Sequence, residues 1–226
     1  MEISKILVVD DHDFMLNGIE KALLKCRPNA KVTLSQNCDQ AFEQIKNAWS
    51  LNDGFELLIT DLSFENLGYP VKISRGEELI KAIKDLEIPI KIIVVTSYGK
   101  TGEIALVIKK CNPGAYILKS NISSKEIGMA IDAIENDMVF YSQEVHIKLR
   151  NRAMVETQVD FTDLKILELL PKTETIDQML GKVLKRNNSP YSKRTIETRI
   201  QELREKLNAN NNIDLYIKAK ELGLIK

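Results

Sequence analysis

Six polar residues stand where short, apolar, β-branched runs of the sequence end. They are Asp10 and Asp11 after the first run, Asp61 after the third, Thr96 and Ser97 in the fourth, and Lys119 in the fifth. Because the carboxyl ends of parallel strands meet at one edge of a sheet, we expect these side chains to converge. Three carboxylates this close repel one another unless a cation offsets their charge.

The cation that suits such a cluster is Mg²⁺, a hard ion that takes oxygen ligands and keeps several of its waters. A lysine beside the carboxylates could hold an oxygen of a transferred phosphoryl group. Each residue alone has an ordinary structural explanation, since acidic residues often end strands as turn formers or helix caps. Their joint occurrence on four strands is harder to explain in that way, and it favours a phosphoryl-handling site.

The elements that would position these residues alternate along the first part of the chain. Strands are predicted over residues 5–10, 31–36, 55–61, 91–97 and 114–119. Helical spacing of apolar residues follows the first three strands, in the groups Met15, Ile19, Ala22 and Leu23, then Ala41, Phe42, Ile45 and Trp49, then Leu79, Ile80, Ile83 and Leu86. Five strands alternating with five helices predict a five-stranded parallel, doubly wound α/β sheet.

The composition is that of an ordinary water-soluble protein, with 44% hydrophobic and 28% charged residues in 226. No apolar run is long enough for a membrane helix and no signal-peptide pattern opens the chain, so we expect a cytoplasmic protein without a membrane partner. The three cysteines lack the CxxC spacing of metal or redox motifs, and buried free thiols are the simplest interpretation.

Charge is distributed unevenly although the net charge is zero. Residues 1–142 carry 16 basic and 20 acidic side chains, whereas residues 143–226 carry 16 and 12. Between Lys182 and Lys206 there are eight basic residues against three acidic ones. This asymmetry indicates a polyanionic partner for the C-terminal part, although a solvated charged helix face would look similar.

Organisation changes after Met138. We predict a first domain over residues 1–140, a linker over 141–159 with weak periodicity, and a small all-α domain over 160–226. Helical signals in the last domain lie in FTDLKILELL, TIDQMLGKVLKR, SKRTIETRIQELREKL and DLYIKAKELGLI. The third begins at Ser192, a plausible N-cap, and carries an apolar stripe of Ile196, Ile200, Leu203 and Leu207.

The first domain resembles the receiver domain of NarL/FixJ-type response regulators, a flavodoxin-like fold. The resemblance runs through VVDDHDFMLNGIEKAL, ITDLSF, GEELIKAIK, VVTSY, GAYILKS and VFYSQEV. It implies that Asp61 is the phosphoacceptor and that Asp10, Asp11, Asp61 and the backbone carbonyl of Ser63 hold Mg²⁺. It also implies that Thr96 bonds the phosphoryl group, that Lys119 forms its ion pair, and that Tyr116 is the switch aromatic.

Two features depart from that family. The stretch from Asp61 to Gly76 is longer than in a typical receiver, and SFENLGYPVKISR replaces its Met-Pro turn. Ser120 follows Lys119 where many receivers have proline. His12 could be interpreted as a general base, but the family commonly has histidine there. The longer loop borders the site and could alter phosphotransfer or the choice of partner.

The last domain resembles the LuxR-type helix-turn-helix, through Ser192, Thr195, Ile196, Arg199, Lys206-Leu207 and the terminal KAKELGLI. Lys165, Glu197, Arg199 and a longer turn, KRNNSPYSK, depart from its usual pattern. The resemblance implies that the N-terminal part of this helix enters the major groove of double-stranded DNA through Lys193, Arg194, Thr195, Thr198 and Arg199. On composition alone, a surface helix laced with Glu–Arg pairs is the simpler interpretation.

The combined prediction is a response regulator, phosphorylated on Asp61 by a sensor histidine kinase and acting as a DNA-binding transcriptional regulator. Residues 214–222 would pair two copies into a homodimer, at least when active. Such a protein is not a dedicated enzyme, although a receiver can dephosphorylate itself. One alternative is a phosphorylation-independent binding module. Another is a phosphatase of the haloacid dehalogenase type, based on the DxD of Asp11 and Asp13.

Overall fold

The structure is a computed structural model that describes residues 2–65 and 71–225. The chain divides into two compact units: an N-terminal unit of Met1–Gly99 with Leu106–His146, and a C-terminal unit of Lys100–Ala105 with Ile147–Lys226. Among the described residues, no helix combines the length and the apolar character that crossing a membrane requires.

A parallel sheet forms the centre of the N-terminal unit, with the strand order β2-β1-β3-β4-β5-β6. Its strands are β1 (Lys5–Val9), β2 (Lys31–Ser35), β3 (Leu57–Thr60), β4 (Lys91–Thr96), β5 (Ala115–Leu118) and β6 (Phe140–Tyr141). Its helices are α1 (Asp13–Cys26), α2 (Cys38–Ser50), α3 (Gly76–Asp85) and α5 (Ser124–Glu135), and α4 (Thr101–Cys111) belongs to it from Leu106 onward. A 3₁₀ turn spans Lys119–Asn121.

Alternation of side chains along the strands divides the core between the two faces of the sheet. Ile6 and Val8 of β1 pack into a cluster shared with α1 and α5. Leu7 and Val9 of the same strand pack on the opposite face, in a cluster shared with α2 and α3. The predicted doubly wound parallel α/β fold is therefore confirmed, and it explains why the strands are apolar throughout.

Six strands are present where the sequence predicted five. The additional strand β6 pairs in parallel with β5 over only two residues, Phe140 and Tyr141, which are half-buried. So short a strand leaves no periodic signal. Trp49 and Leu86, two residues of the predicted helical patterns, are 47% and 49% exposed near the ends of their helices.

The three cysteines are free thiols, as expected. Cys38 and Cys111 are buried, and burial raises the pKa of both thiols above the ordinary value. Cys26 is half-buried and its thiol donates to the carbonyl oxygen of Ser124 at 3.5 Å.

A helix crosses the segment that was predicted to be a linker. This helix, α6 (Gln143–Glu156), has one buried residue, Val145, which explains why its sequence shows little periodicity. The C-terminal unit then contains α7 (Phe161–Leu169), α8 (Lys193–Lys206) and α9 (Asn212–Glu221), with 3₁₀ turns at Leu170–Lys172 and Ile176–Met179. The predicted stripe of α8 is confirmed, since Ile196, Ile200, Leu203 and Leu207 are buried in the core of this unit.

One predicted helical segment of the C-terminal unit is wrong. TIDQMLGKVLKR contains only the four-residue turn Ile176–Met179, because Leu180 turns extended (ψ 137°) and Gly181 follows in the left-handed region (φ 76°). The chain then folds back through an isolated antiparallel bridge between Leu184 and Pro190. The Val183 carbonyl accepts a hydrogen bond from the Tyr191 N–H at 3.1 Å, so the segment is a hairpin.

Candidate functional site

The parallel sheet brings four of the predicted site residues to one edge. Asp10 directly follows β1, Asp61 directly follows β3, and Lys119 directly follows β5. Thr96 is the last residue of β4. The side chains of Asp10, Asp61 and Thr96 are buried, although carboxylates are rarely buried unless they are paired.

Lys119 is the cation that compensates the two buried carboxylates. Its ammonium lies 2.7 Å from an oxygen of Asp10 and 2.7 Å from an oxygen of Asp61. Burial alone would lower the pKa of Lys119, but the hydrogen bonds to both carboxylates outweigh it and the pKa is raised. The lysine is therefore held as a charged group at neutral pH, directly beside the predicted phosphoacceptor.

Asp61 is held both by its backbone N–H and by its carboxylate. Its N–H donates to the Val9 carbonyl of the neighbouring strand, and its second carboxylate oxygen accepts from the Leu62 N–H at 2.6 Å. Gly76 at the start of α3 packs against the same backbone, and a Cβ there would lie 1.9 Å from the Asp61 carbonyl oxygen. Glycine is thus required at position 76, and α3 begins in direct contact with Asp61.

Asp11 and His12 complete the acidic end of β1. One Asp11 oxygen lies 2.7 Å from His12 Nδ1, and the other accepts from the Glu65 N–H at 2.7 Å. The hydrogen bond with Asp11 is the largest cause of a raised pKa for His12, which is exposed. Asp10, Asp11 and His12 present ligand atoms within 4.8 Å of one another, and the carboxylate oxygens are donors that a hard divalent cation prefers.

Ser63 lies in the loop after Asp61 and is exposed; its backbone forms an antiparallel bridge with Arg75. The longer loop that departs from the receiver domains this chain resembles includes residues 66–70, which lie outside the described residues. Its later part is anchored by Asp39, whose carboxylate accepts from the N–H groups of Lys72 and Ile73 at 2.9 Å.

Tyr98, a residue missing from the predicted site, connects Thr96 with the predicted switch residue Tyr116. Its N–H donates to the Thr96 hydroxyl at 3.3 Å, and its carbonyl accepts from the hydroxyl of the fully buried Tyr116 at 2.9 Å. Its own hydroxyl accepts from Arg75 at 2.9 Å. The available signal was its position two residues beyond Thr96, at a strand end.

The five predicted DNA contacts lie together on the N-terminal half of α8. Ser192 caps the helix as expected, because its hydroxyl accepts from the Thr195 N–H at 3.3 Å. The side chains of Lys193, Arg194 and Thr198 are exposed, and that of Thr195 is half-buried. This half of the helix therefore presents polar and basic groups to solvent.

Arg199 differs from the other four because its guanidinium is held inside the C-terminal unit. It lies 2.9 Å from Asp160 and 2.7 Å from Asp163, the two residues of the capping box at the start of α7. The Tyr191 ring is 5.5 Å away. Lys193 also has a carboxylate partner, Asp177, at 2.7 Å. These pairs argue against Arg199 as a freely available ligand for DNA.

Comparisons with known proteins agree with this architecture. The response regulator receiver domain family matches residues 6–131. The transcriptional regulatory protein YdfI of Bacillus subtilis is 24% identical, over 99% of this chain and 98% of its own.

Solved structures of the response regulator RcsB are similar in fold. RcsB of Salmonella typhimurium superposes with a TM-score of 0.63 at 22% identity, covering 97% of this chain and 99% of that one. An RcsB–DNA complex gives a TM-score of 0.61 at 22% identity, covering 98% and 100%. With more than half of its length matched by the family, this chain belongs to the response regulator receiver domain family.

Proposed function

We propose that this protein is a cytoplasmic response regulator that is phosphorylated on Asp61 by a sensor histidine kinase and controls transcription by binding double-stranded DNA. The receiver would comprise residues 1–140 and the DNA-binding domain residues 160–226, joined by residues 141–159. The observation that carries the proposal is the buried Asp61 carboxylate, paired at 2.7 Å with a lysine that also holds Asp10. A carboxylate with a fixed cation beside it is prepared to receive a phosphoryl group.

Asp61 acts as the nucleophile in this proposal. One of its oxygens forms a bond to phosphorus while the bond from phosphorus to the donor imidazole nitrogen breaks, and the imidazole leaves with the electron pair. Lys119 then pairs with a phosphoryl oxygen. Mg²⁺, held by Asp10, Asp11, Asp61 and the Ser63 carbonyl, would offset the charge on the phosphoryl oxygens.

Thr96, Tyr98 and Tyr116 would pass the signal onward. In the structure the Tyr98 N–H donates to the Thr96 hydroxyl. The Tyr98 carbonyl accepts from the Tyr116 hydroxyl. A phosphoryl oxygen on Asp61 would accept a hydrogen bond from the Thr96 hydroxyl and draw this side chain toward Asp61, and the Tyr98 segment and Tyr116, which are linked to that hydroxyl, would shift with it. A near-complete switch needs about 5.5 kcal/mol of differential stabilisation, so partial activation is an equally consistent outcome.

DNA binding by the C-terminal unit is supported by the exposed N-terminal half of α8 and by the relatives, a transcriptional regulator and an RcsB–DNA complex. Lys193, Arg194, Thr195 and Thr198 would meet the DNA directly. Arg199 would instead fix α8 against α7. Helix α9 would pair two copies, so that two recognition helices reach half-sites about 10 base pairs apart.

Labelling with a small phosphodonor tests the phosphoacceptor. We expect Mg²⁺-dependent labelling of the full chain that Asp61→Asn abolishes. The matched control is Asp85→Asn, which removes an exposed carboxylate on α3 and should label like the wild type. If Asp61→Asn is labelled at the wild-type rate, Asp61 is not the nucleophile.

A second candidate function is a binding module that signals by protein contact without phosphorylation. The long loop after Asp61 favours it, because that loop borders the acidic cluster through the Asp11–Glu65 hydrogen bond. Beryllofluoride distinguishes the two. Binding of this phosphoryl mimic in the presence of Mg²⁺ supports the phosphorylated regulator, whereas its absence at high concentration supports the binding module.

A further inference from the structure

A compact hairpin, residues 182–191, occupies the place where a helix was expected; we call it the basic hairpin. Its ends are joined by the Leu184–Pro190 bridge, and the Lys185 N–H donates to the Ser189 carbonyl at 2.8 Å. The Asn187 side chain accepts from both the N–H and the hydroxyl of Ser189. These bonds within the turn give the hairpin a defined shape.

The cations of the basic hairpin have no acidic partners in the part of the chain that the structure describes. The sequence KVLKRNNSPY contains no aspartate or glutamate, and Lys182, Lys185 and Arg186 are all exposed. Within residues 2–65 and 71–225, no carboxylate lies within ion-pair distance of these three side chains. Lys193 and Arg199 of α8, by contrast, are both paired. The uncompensated positive charge of this region therefore lies on the hairpin and on Arg194.

Two contacts fix the basic hairpin beside α8. Val183 is buried in the core of the C-terminal unit and ties the base of the hairpin to it. The Tyr191 ring then has Lys185 Nζ at 5.6 Å and the Arg199 guanidinium at 5.5 Å. Since Ser192 caps α8 directly after Tyr191, the hairpin cations and the N-terminal half of α8 form one continuous surface.

We propose that the basic hairpin is a second DNA-binding element, which contacts phosphates next to the groove that α8 enters. The inference rests on the proposed DNA-binding function and extends it. Exposed lysines on a turn act as point charges, which suits phosphate oxygens rather than a fixed pattern of base edges. The contact would add affinity and salt dependence without sequence preference.

The test compares the full wild-type chain with Lys185→Ala/Arg186→Ala on a random-sequence DNA duplex over a range of salt concentrations. Each lost phosphate contact lowers the slope of log affinity against log salt by about 0.9, so the double variant should lose about 1.8. Between about 50 and 200 mM salt, the factor by which affinity falls should therefore be about ten times larger for the wild type than for the variant. The charge-reversing Lys185→Glu/Arg186→Glu should weaken binding further.

The control is Lys165→Ala/Lys172→Ala, which removes two positive charges from the same unit but from α7 and the turn after it. We expect its slope to stay close to the wild-type value. Lys172, Lys185 and Arg186 are exposed and Lys165 is half-buried, and unchanged circular dichroism verifies folding.

The outcomes separate the inference from the proposed function. If the wild-type chain shifts no duplex even at low salt, the DNA-binding function itself fails. If the wild type binds and the hairpin variants keep its slope, only the hairpin inference is overturned. Loss of an acidic protein partner with an unchanged DNA slope would also overturn it, by assigning the hairpin to protein contact.

Discussion

The acidic cluster of the N-terminal unit and the basic surface of the C-terminal unit handle charge in opposite ways. At the cluster, Asp10 and Asp61 are buried and share one lysine at 2.7 Å. At the basic surface, Arg199 is held by two carboxylates, whereas Lys185 and Arg186 are exposed and have no carboxylate partner among the described residues. Burying an ion is costly unless it is paired, whereas a surface ion is solvated in either case. The buried carboxylates of the acidic cluster therefore require an ion-pair partner, whereas the exposed cations of the basic surface do not.

The largest effect should come from removing the obligatory partner. Lys119→Ala leaves two buried carboxylates without their cation and removes the charge that would meet the phosphoryl group. We expect phosphodonor labelling to slow by about 10²- to 10³-fold, the usual loss for one preorganised electrostatic group. Lys81→Ala, which removes an exposed lysine of α3, is the control. If Lys119→Ala is labelled at the control rate, the buried carboxylates do not need Lys119 for phosphorylation, and the contrast with the basic surface fails.

The backbone next to Asp61 should be nearly as sensitive. In Gly76→Ala the new methyl group would lie 1.9 Å from the Asp61 carbonyl oxygen, so α3 must shift away from the site. We expect the free energy of unfolding of the N-terminal unit to fall by about 2–3 kcal/mol. Trp49 is the only tryptophan, so its fluorescence during urea denaturation follows this unit.

Gly18→Ala is the matched control for that substitution. Gly18 lies inside α1 with no atom within 4 Å of the new methyl group. Alanine there should raise the free energy of unfolding by up to about 1 kcal/mol, because glycine loses more backbone freedom on folding. Equal effects of the two substitutions would show that close packing at Gly76 is not what fixes Asp61.

These two sites also show what the sequence could predict. The sequence put Asp10, Asp61, Thr96 and Lys119 at strand ends, where the structure has them, because the apolar residues of each strand are all buried and such runs have a clear signal. The two-residue strand β6 and the helix α6 with its single buried residue have almost none. The partners of Arg199 could not be read from sequence, because Asp160 and Asp163 lie on another helix and surface pairing follows no periodicity.

Arg199 combines features of both regions, because it lies on the basic surface and pairs with a buried carboxylate. Asp163 is buried, so Arg199→Ala would leave its carboxylate without a cation, and we expect the C-terminal unit to lose about 2 kcal/mol of stability. Lys193→Ala breaks a pair whose side chains are 49% and 60% exposed, and should change stability by less than about 0.5 kcal/mol. Far-UV circular dichroism during denaturation measures both. Equal effects would contradict an assignment of Arg199 as a positioning residue.

The smallest effect concerns pH. Hydrogen bonds from Arg27 hold the pKa of Glu135 below its ordinary value, aided by the Ile3 N–H. A depressed folded-state pKa stabilises the protein above the ordinary glutamate value, and this contribution is lost as the pH falls through the folded-state pKa. As the pH falls below about 4.3, the free energy of unfolding of the N-terminal unit should decrease by about 1 kcal/mol. Glu135→Gln lacks this carboxylate and should not show the decrease. Glu43→Gln, at an exposed pair, should keep the wild-type pH profile.

The two buried cysteines of the N-terminal unit can report its local opening. Burial keeps the thiols of Cys38 and Cys111 protonated and out of reach of solvent, and thiolate is the form that alkylating reagents attack. Each thiol can therefore react only during the moments when its own helix, α2 or α4, opens. The rate at which each thiol is modified therefore measures how often α2 or α4 opens away from the sheet, and no label has to be added to the protein.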